Sequence, residues 1–124
     1  MNSVLRTRYR HQSEYQTKDG STIRELMHPA VHGEPAKNLS LAEATVAPGQ
    51  QTALHVHHRT EELYYIVSGK GLMQVGDDEL TVETGDTICI PPGTPHSIRA
   101  IGEEALKILC CCSPAYAHED TELV

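Results

Sequence analysis

The sequence predicts an all-β domain, an antiparallel barrel or jelly roll. Short strand patterns recur at intervals of roughly ten residues with Gly, Pro, Asn or Asp turn signals between them, which is the rhythm of such folds. No helical period of useful length competes with it. Phe and Trp are absent, so Leu, Ile, Val, Ala and Met must fill the interior, and a large aromatic-walled cofactor pocket is excluded.

Taken in order, residues 1–12 are basic and polar without a clear period and read as a flexible arm. Residues 14–27 form two short strands around Lys18-Asp19-Gly20-Ser21, a hairpin turn in which Gly20 can take positive φ. Pro29, Gly33 and Pro35 make 28–37 a loop, and strand resumes over 39–46. Pro48-Gly49 turns the chain into a strand over 52–57, and the polar turn His58-Arg59-Thr60 leads to another over 63–67.

Beyond the tight connection bracketed by Gly69 and Gly71, residues 72–75 pair with 80–82 across Gly76-Asp77-Asp78. After Thr84-Gly85-Asp86, a strand over 87–90 enters Pro91-Pro92-Gly93-Thr94-Pro95, a stiff loop that delivers His96 onto a strand through Ala100. Residues 105–112 close the sheet. The expected organisation is one domain, with an arm and hairpin (1–37) packing on a barrel (38–112), and an acidic tail or lid (113–124) lying across it.

A chain of 124 residues buries about two thirds of the surface its unfolded form exposes, enough for one core. No apolar run approaches the ~18 residues that cross a bilayer, and the N-terminal stretch lacks an apolar signal core, so a cytoplasmic location is expected. A formal charge of -7 argues against nucleic acid or anionic membrane as a partner and in favour of small molecules. Cys89, Cys110, Cys111 and Cys112 lack C-x-x-C spacing, and they read as small apolar residues in a reducing compartment. Strand alternation puts Cys111 on one face and Cys110 and Cys112 on the other.

The chemistry is carried by histidines. In an extended strand, residues two apart project from one face with α-carbons about 6–7 Å apart, so His55 and His57 can aim at one point. His96 follows the proline loop, and a glutamate, Glu61 or Glu62, lies close behind the first pair. Three neutral imidazoles and one carboxylate suit a divalent first-row metal with positions left for water or substrate. Alternation cannot choose between the glutamates, because both faces of 63–67 are apolar. His11, His28, His32, His58 and His118 lack any such frame and read as ordinary polar side chains. The charges of Asp77, Asp78 and Glu79 read as a solvated turn.

As spacing, the two blocks are G-x(5)-H-x-H-x(4)-E-x(6)-G over Gly49 to Gly69 and G-x(5)-P-x-G-x(2)-H over Gly85 to His96. This resembles the cupin superfamily, in particular small single-domain metal-binding cupins, across about two fifths of the chain. The resemblance implies a double-stranded β-helix, selects Glu62 over Glu61, and implies one divalent ion per chain (Fe, Mn, Ni, Zn, Co or Cu) on His55, His57, Glu62 and His96. It also implies a homodimer, with the N-terminal hairpin swapped or covering a sheet edge. One position departs from the pattern. The second block usually ends in Asn four residues after its histidine, and here Ala100 stands there, so a polar partner must come from elsewhere.

On the ligand face Tyr64 is one step from Glu62 and is either a pocket donor or acid, or core filler. Ala53, Met73, Val75 and Ile98 are expected to give the cavity an apolar lining. The functional expectation is a metal-dependent enzyme acting on a compact oxygen-rich small molecule by dioxygenase-type chemistry, or by isomerase-, cyclase- or lyase-type chemistry. The alternative is a metal-containing sensor or binding module without turnover.

Overall fold

A computed structural model describes residues 4–124. The strands are β1 (Glu14–Gln16), β2 (Thr22–Met27), β3 (Ser40–Val46), β4 (His55–His57), β5 (Glu61–Ser68), β6 (Lys70–Val75), β7 (Asp78–Glu83), β8 (Thr87–Ile90), β9 (His96–Ala100), β10 (Leu106–Ser113) and β11 (Thr121–Leu123). They form two antiparallel sheets, a six-stranded one in the order β1-β2-β3-β10-β5-β8 and a five-stranded one in the order β11-β4-β9-β6-β7. This is the jelly-roll, double-stranded β-helix architecture that the strand spacing predicts.

Alternation builds the core. On β3 and β10 every second side chain points inward, and β5 buries Glu62, Tyr64 and Ile66 while exposing Leu63, Tyr65 and Val67. Ile66, Met73, Ile90, Ile98, Leu106 and Ile108 are fully buried between the sheets. Met73 and Ile98 thus belong to the core and Ala53 is exposed, so none of these three lines the functional cavity as expected.

Three local expectations need correction. Residues 28–37 contain a short helix, α1 (Pro29–His32), because Pro29 is preset for a first turn and the His28 ring caps it by accepting from Ala30 N at 3.0 Å. The N-terminal arm is fastened to the body at three points among its described residues. Thr7 donates to Leu26 O, Tyr9 donates to Glu43 at 2.6 Å, and Arg24 donates to Gln12 O. Met1–Ser3, also part of the expected arm, lie outside the described residues. At the other end, residues 113–124 hold a 3-10 turn (His118–Asp120) and then β11, which pairs with β4 as an edge strand where a tail or lid was expected.

The sharp return between β5 and β6 depends on Gly69, whose φ is 89°. A Cβ there would stand 2.7 Å from the Ala105 carbonyl oxygen, a backbone atom that cannot swing away. Gly69→Ala therefore combines left-handed strain with overpacking, and a loss of about 2 kcal/mol or more is expected. A urea-melt midpoint within error of the parent protein would refute this account of the turn.

Candidate metal centre

His55 and His57 sit on β4, and the register of β4 with β9 places His55 directly opposite His96. All three rings are buried, with centroids 5.1, 4.2 and 5.3 Å apart, and one nitrogen from each lies within 4.8 Å of the others. The loop that carries His96 is tied to the first ligand strand, since Gly93 N donates to His57 O at 2.7 Å.

Hydrogen bonding fixes which nitrogen faces inward. His55 Nδ1 donates to Ala53 O at 2.7 Å and His96 Nδ1 donates to Thr94 O at 2.9 Å. A carbonyl can only accept, so both rings carry their proton on Nδ1 and present a lone pair at Nε2. His57 Nδ1 lies 2.9 Å from Thr121 Oγ1, whose own hydroxyl donates to Ala117 O at 3.0 Å. With that proton committed, the threonine oxygen accepts and His57 takes the same tautomer. The polar partner absent at Ala100 is thus supplied by β11 and by two backbone carbonyls; Ala100 itself is 1% exposed in the core.

Glu62 enters from β5. Its Oε1 lies 3.3 Å from His57 Nε2 and 3.5 Å from His96 Nε2. Its Oε2 accepts from Cys112 Sγ at 3.3 Å. Glu61, the competing glutamate, is exposed. Burial pushes the Glu62 carboxyl up, but in the metal-free protein a proton carried on the facing nitrogens of His57 or His96 outweighs it and holds the carboxyl at about 2. His55 is driven down chiefly by burial and then by His96.

Glu62 Oε1 and His96 Nε2 are both buried and have no hydrogen-bond partner. Lone pairs facing a carboxylate oxygen repel unless a cation sits among them, and a proton can fill only one gap at a time. Three of the four side chains expected from the sequence, His55, His57 and His96, thus form one cluster with Glu62 set against His57 and His96, and the three imidazoles fit a divalent metal ion.

His55, His57 and Glu62 open into a small cavity of about 40 Å³. Its lining is mixed: Ile23, Ala42 and Ala44 give apolar surface as expected, though from other residues, while the β1–β2 hairpin adds Tyr15, Asp19 and Glu25. Asp19 Oδ2 approaches His55 Nε2 to 3.4 Å, while its Oδ1 is held by Thr17 and Ser21. Tyr64 lines the cavity 6.1 Å from the His96 ring, and burial, then the Glu62 charge, push its phenol well above the usual range.

Cys110 and Cys112 also face the cavity, so the reading of the thiols as plain core filler is incomplete. Burial and then the Glu62 charge push both well above the usual thiol range, which keeps them protonated donors. Cys89 is exposed. Three of the other five histidines are engaged elsewhere: His28 with Tyr116 O, His32 with Gln12, and His58, pointing outward, with Glu122. The tail acid Asp120 accepts from the backbone of Arg59 and Thr60.

The sequence profile of the cupin domain matches residues 42–112, more than half of the chain. The chain belongs to the cupin family. An uncharacterized protein of Methanocaldococcus jannaschii is 50% identical to this cupin over 121 residues, covering 98% of this chain and 95% of that one. Among solved structures, a Streptomyces nucleoside dehydratase variant with uridine superposes at a TM-score of 0.78 and 16% identity, covering 98% of this chain and 92% of the other. A predicted oxalate decarboxylase from Thermotoga maritima superposes at 0.74 and 22% identity, covering 89% and 99%. At these identities the superpositions show a shared fold.

Both shifted groups have the same pH consequence. The folded values of His55 and Glu62 lie below their ordinary 6.5 and 4.5, so their stabilisation is complete above those values and is lost as the pH falls through them. Chelator-treated protein should show urea midpoints that decline from about pH 6.5 and more steeply below about 4.5. Glu62→Gln should flatten the lower limb. A parent midpoint constant from pH 7 to pH 4 would contradict these shifts.

Proposed function

We propose that this cupin is a metal-dependent enzyme acting on a compact oxygen-rich small molecule, with one divalent transition-metal ion held by His55, His57, Glu62 and His96. The carrying observation is the convergence of three tautomer-locked Nε2 lone pairs, two of them set against a buried Glu62 oxygen that has no hydrogen-bond partner among the described residues. When bound, the ion would supply Lewis acidity toward a carbonyl or enol, and with iron, manganese, nickel or copper also redox chemistry; dioxygenase-type and isomerase- or cyclase-type reactions both fit.

The protein's own groups have distinct roles in this reading. Glu62 offsets one positive charge, and the Cys112 thiol holds its other oxygen in place. Tyr64, too basic to release its proton, serves as a neutral hydrogen-bond donor. The small cavity suits a compact substrate. Turnover is further supported by the shared fold of a nucleoside dehydratase and a predicted oxalate decarboxylase.

Protein purified without added metal should carry about one ion per chain by mass spectrometry, and the double variant His55→Ala, His57→Ala should carry less than about a tenth of that. Anaerobic Fe(II) loading should give dioxygen uptake, or zinc loading conversion of an enolisable dicarbonyl, with the rate collapsing by about 10²-fold or more in Glu62→Gln. Metal content unaffected by the histidine changes would sink the site. Ligand-dependent thermal stabilisation without turnover on any metal would make the protein a sensor.

The same reading includes a homodimer. Leu63, Tyr65 and Val67 leave 41%, 45% and 39% of their surface exposed in one stripe along β5, more apolar surface in a row than a solvated strand needs. Light scattering should give twice the 13.6 kDa chain mass, and Tyr65→Glu should halve it. A monomer at 50 μM or more, or a dimer indifferent to Tyr65→Glu, would remove this face from consideration.

A further inference from the structure

The metal reading leaves two buried groups in the cavity wall without a role. Glu25, on β2, is 7% exposed; its Oε2 accepts from Tyr15 OH at 2.6 Å, while its Oε1 is buried without a partner. Tyr116 stands edge-on to His57 with ring centroids 5.8 Å apart, and its hydroxyl too is buried without a partner. Both residues line the cavity that reaches His55, His57 and Glu62. A buried acceptor and a buried hydroxyl with nothing to bind are costly in a folded core, and a ligand that answers both removes the cost.

Charge narrows what that ligand can be. Asp19, Glu25 and Glu62 all face the cavity, and no Lys or Arg lines it among the described residues. Three carboxylates against one divalent ion leave the space net negative, so an anion entering it meets repulsion at short range in a poorly solvated volume. A dicarboxylate or phosphate ester, the usual choice for a cationic metal site, is disfavoured here. A neutral molecule with an O–H group meets none of this repulsion and can donate to Glu25 Oε1 while accepting from Tyr116.

We propose that the cavity selects an uncharged, hydroxyl-bearing carbonyl compound of a few heavy atoms, anchored through its hydroxyl by Glu25 and Tyr116 while its carbonyl oxygen faces the three-histidine cluster. This rests on the metal-centre reading above and adds the substrate class to it. Glu25 sets specificity by charge as well as by hydrogen bonding: it accepts the donor that the substrate carries and repels anionic analogues of the same size. Tyr15 fixes the carboxyl orientation that leaves Oε1 free.

Hydroxyacetone and glycolate test this, being nearly isosteric hydroxyl compounds that differ in charge. Their affinities would be measured by NMR titration on zinc-loaded and on metal-free protein. Glu25→Gln keeps the shape and a partner for Tyr15, and it should shift the preference toward glycolate by about tenfold or more while metal content stays at the parent level. Tyr116→Phe should weaken hydroxyacetone about tenfold. An unchanged preference in folded Glu25→Gln overturns the proposal. So does full hydroxyacetone affinity in Tyr116→Phe, which also serves if the Glu25 variant does not fold. A protein that binds no metal but shows the shift in its metal-free form refutes the metal-centre reading and keeps this one.

Discussion

The constraint on which the site depends is the placement of three protons. His55, His57 and His96 each carry one on Nδ1, fixed by an acceptor that has no alternative role, and each therefore aims a bare Nε2 at the same small volume. Two of these acceptors are carbonyls two residues before the histidine, Ala53 and Thr94, so backbone entering each ligand strand already dictates the tautomer. Sheet register completes the arrangement, with His55 opposite His96 and His57 opposite Thr121. The backbone thus concentrates electron density at one point, and the buried Glu62 oxygen adds to it.

Around this cluster the two sheets have unequal duties. The five-stranded sheet supplies the histidines and Thr121, while the six-stranded sheet supplies Glu62, Tyr64, Cys110 and Cys112 along with the hairpin residues that close the mouth. Packing of Ile66, Met73, Ile98 and Leu106 between the sheets sets the distance from Glu62 to the imidazoles. The hairpin strands β1 and β2 extend the six-stranded sheet beyond β3 in the same chain, and this extension converts an apolar barrel mouth into one with charge.

Much of this was legible in the sequence, for identifiable reasons. His55 and His57 declare themselves because alternation is local, and the glycine and proline frame carries the reading on to Glu62 and His96. The succession of strands up to β10 and the rigid proline loop were legible for the same reason, whereas the order of strands within the two sheets was not. Asp19, Glu25, Tyr116, Thr121 and Cys112 were not assigned to the site, because nothing near them in sequence marks them. Thr121 meets a histidine 64 residues away, and Cys112 meets Glu62 across 50. The charged part of the cavity lining was not foreseen because parity within the barrel says nothing of the hairpin that contributes Asp19 and Glu25. The tail was misread because β11 is only three residues long and has almost no pattern of its own.

That short strand has a consequence for biosynthesis. Lys18, at the tip of the first hairpin, donates to His118 O at 3.1 Å and to Thr121 O at 2.8 Å, so the segment that orients His57 is clasped by a residue translated about a hundred positions earlier. A ribosome delivers the ligands first and the strand that disciplines them last. During elongation the barrel can collapse, but His57 is free to choose either tautomer until residue 121 has emerged from the exit tunnel and paired. The orientation of His57 is therefore completed only after residue 121 has paired, later than that of His55 and His96, whose acceptors lie two residues before them.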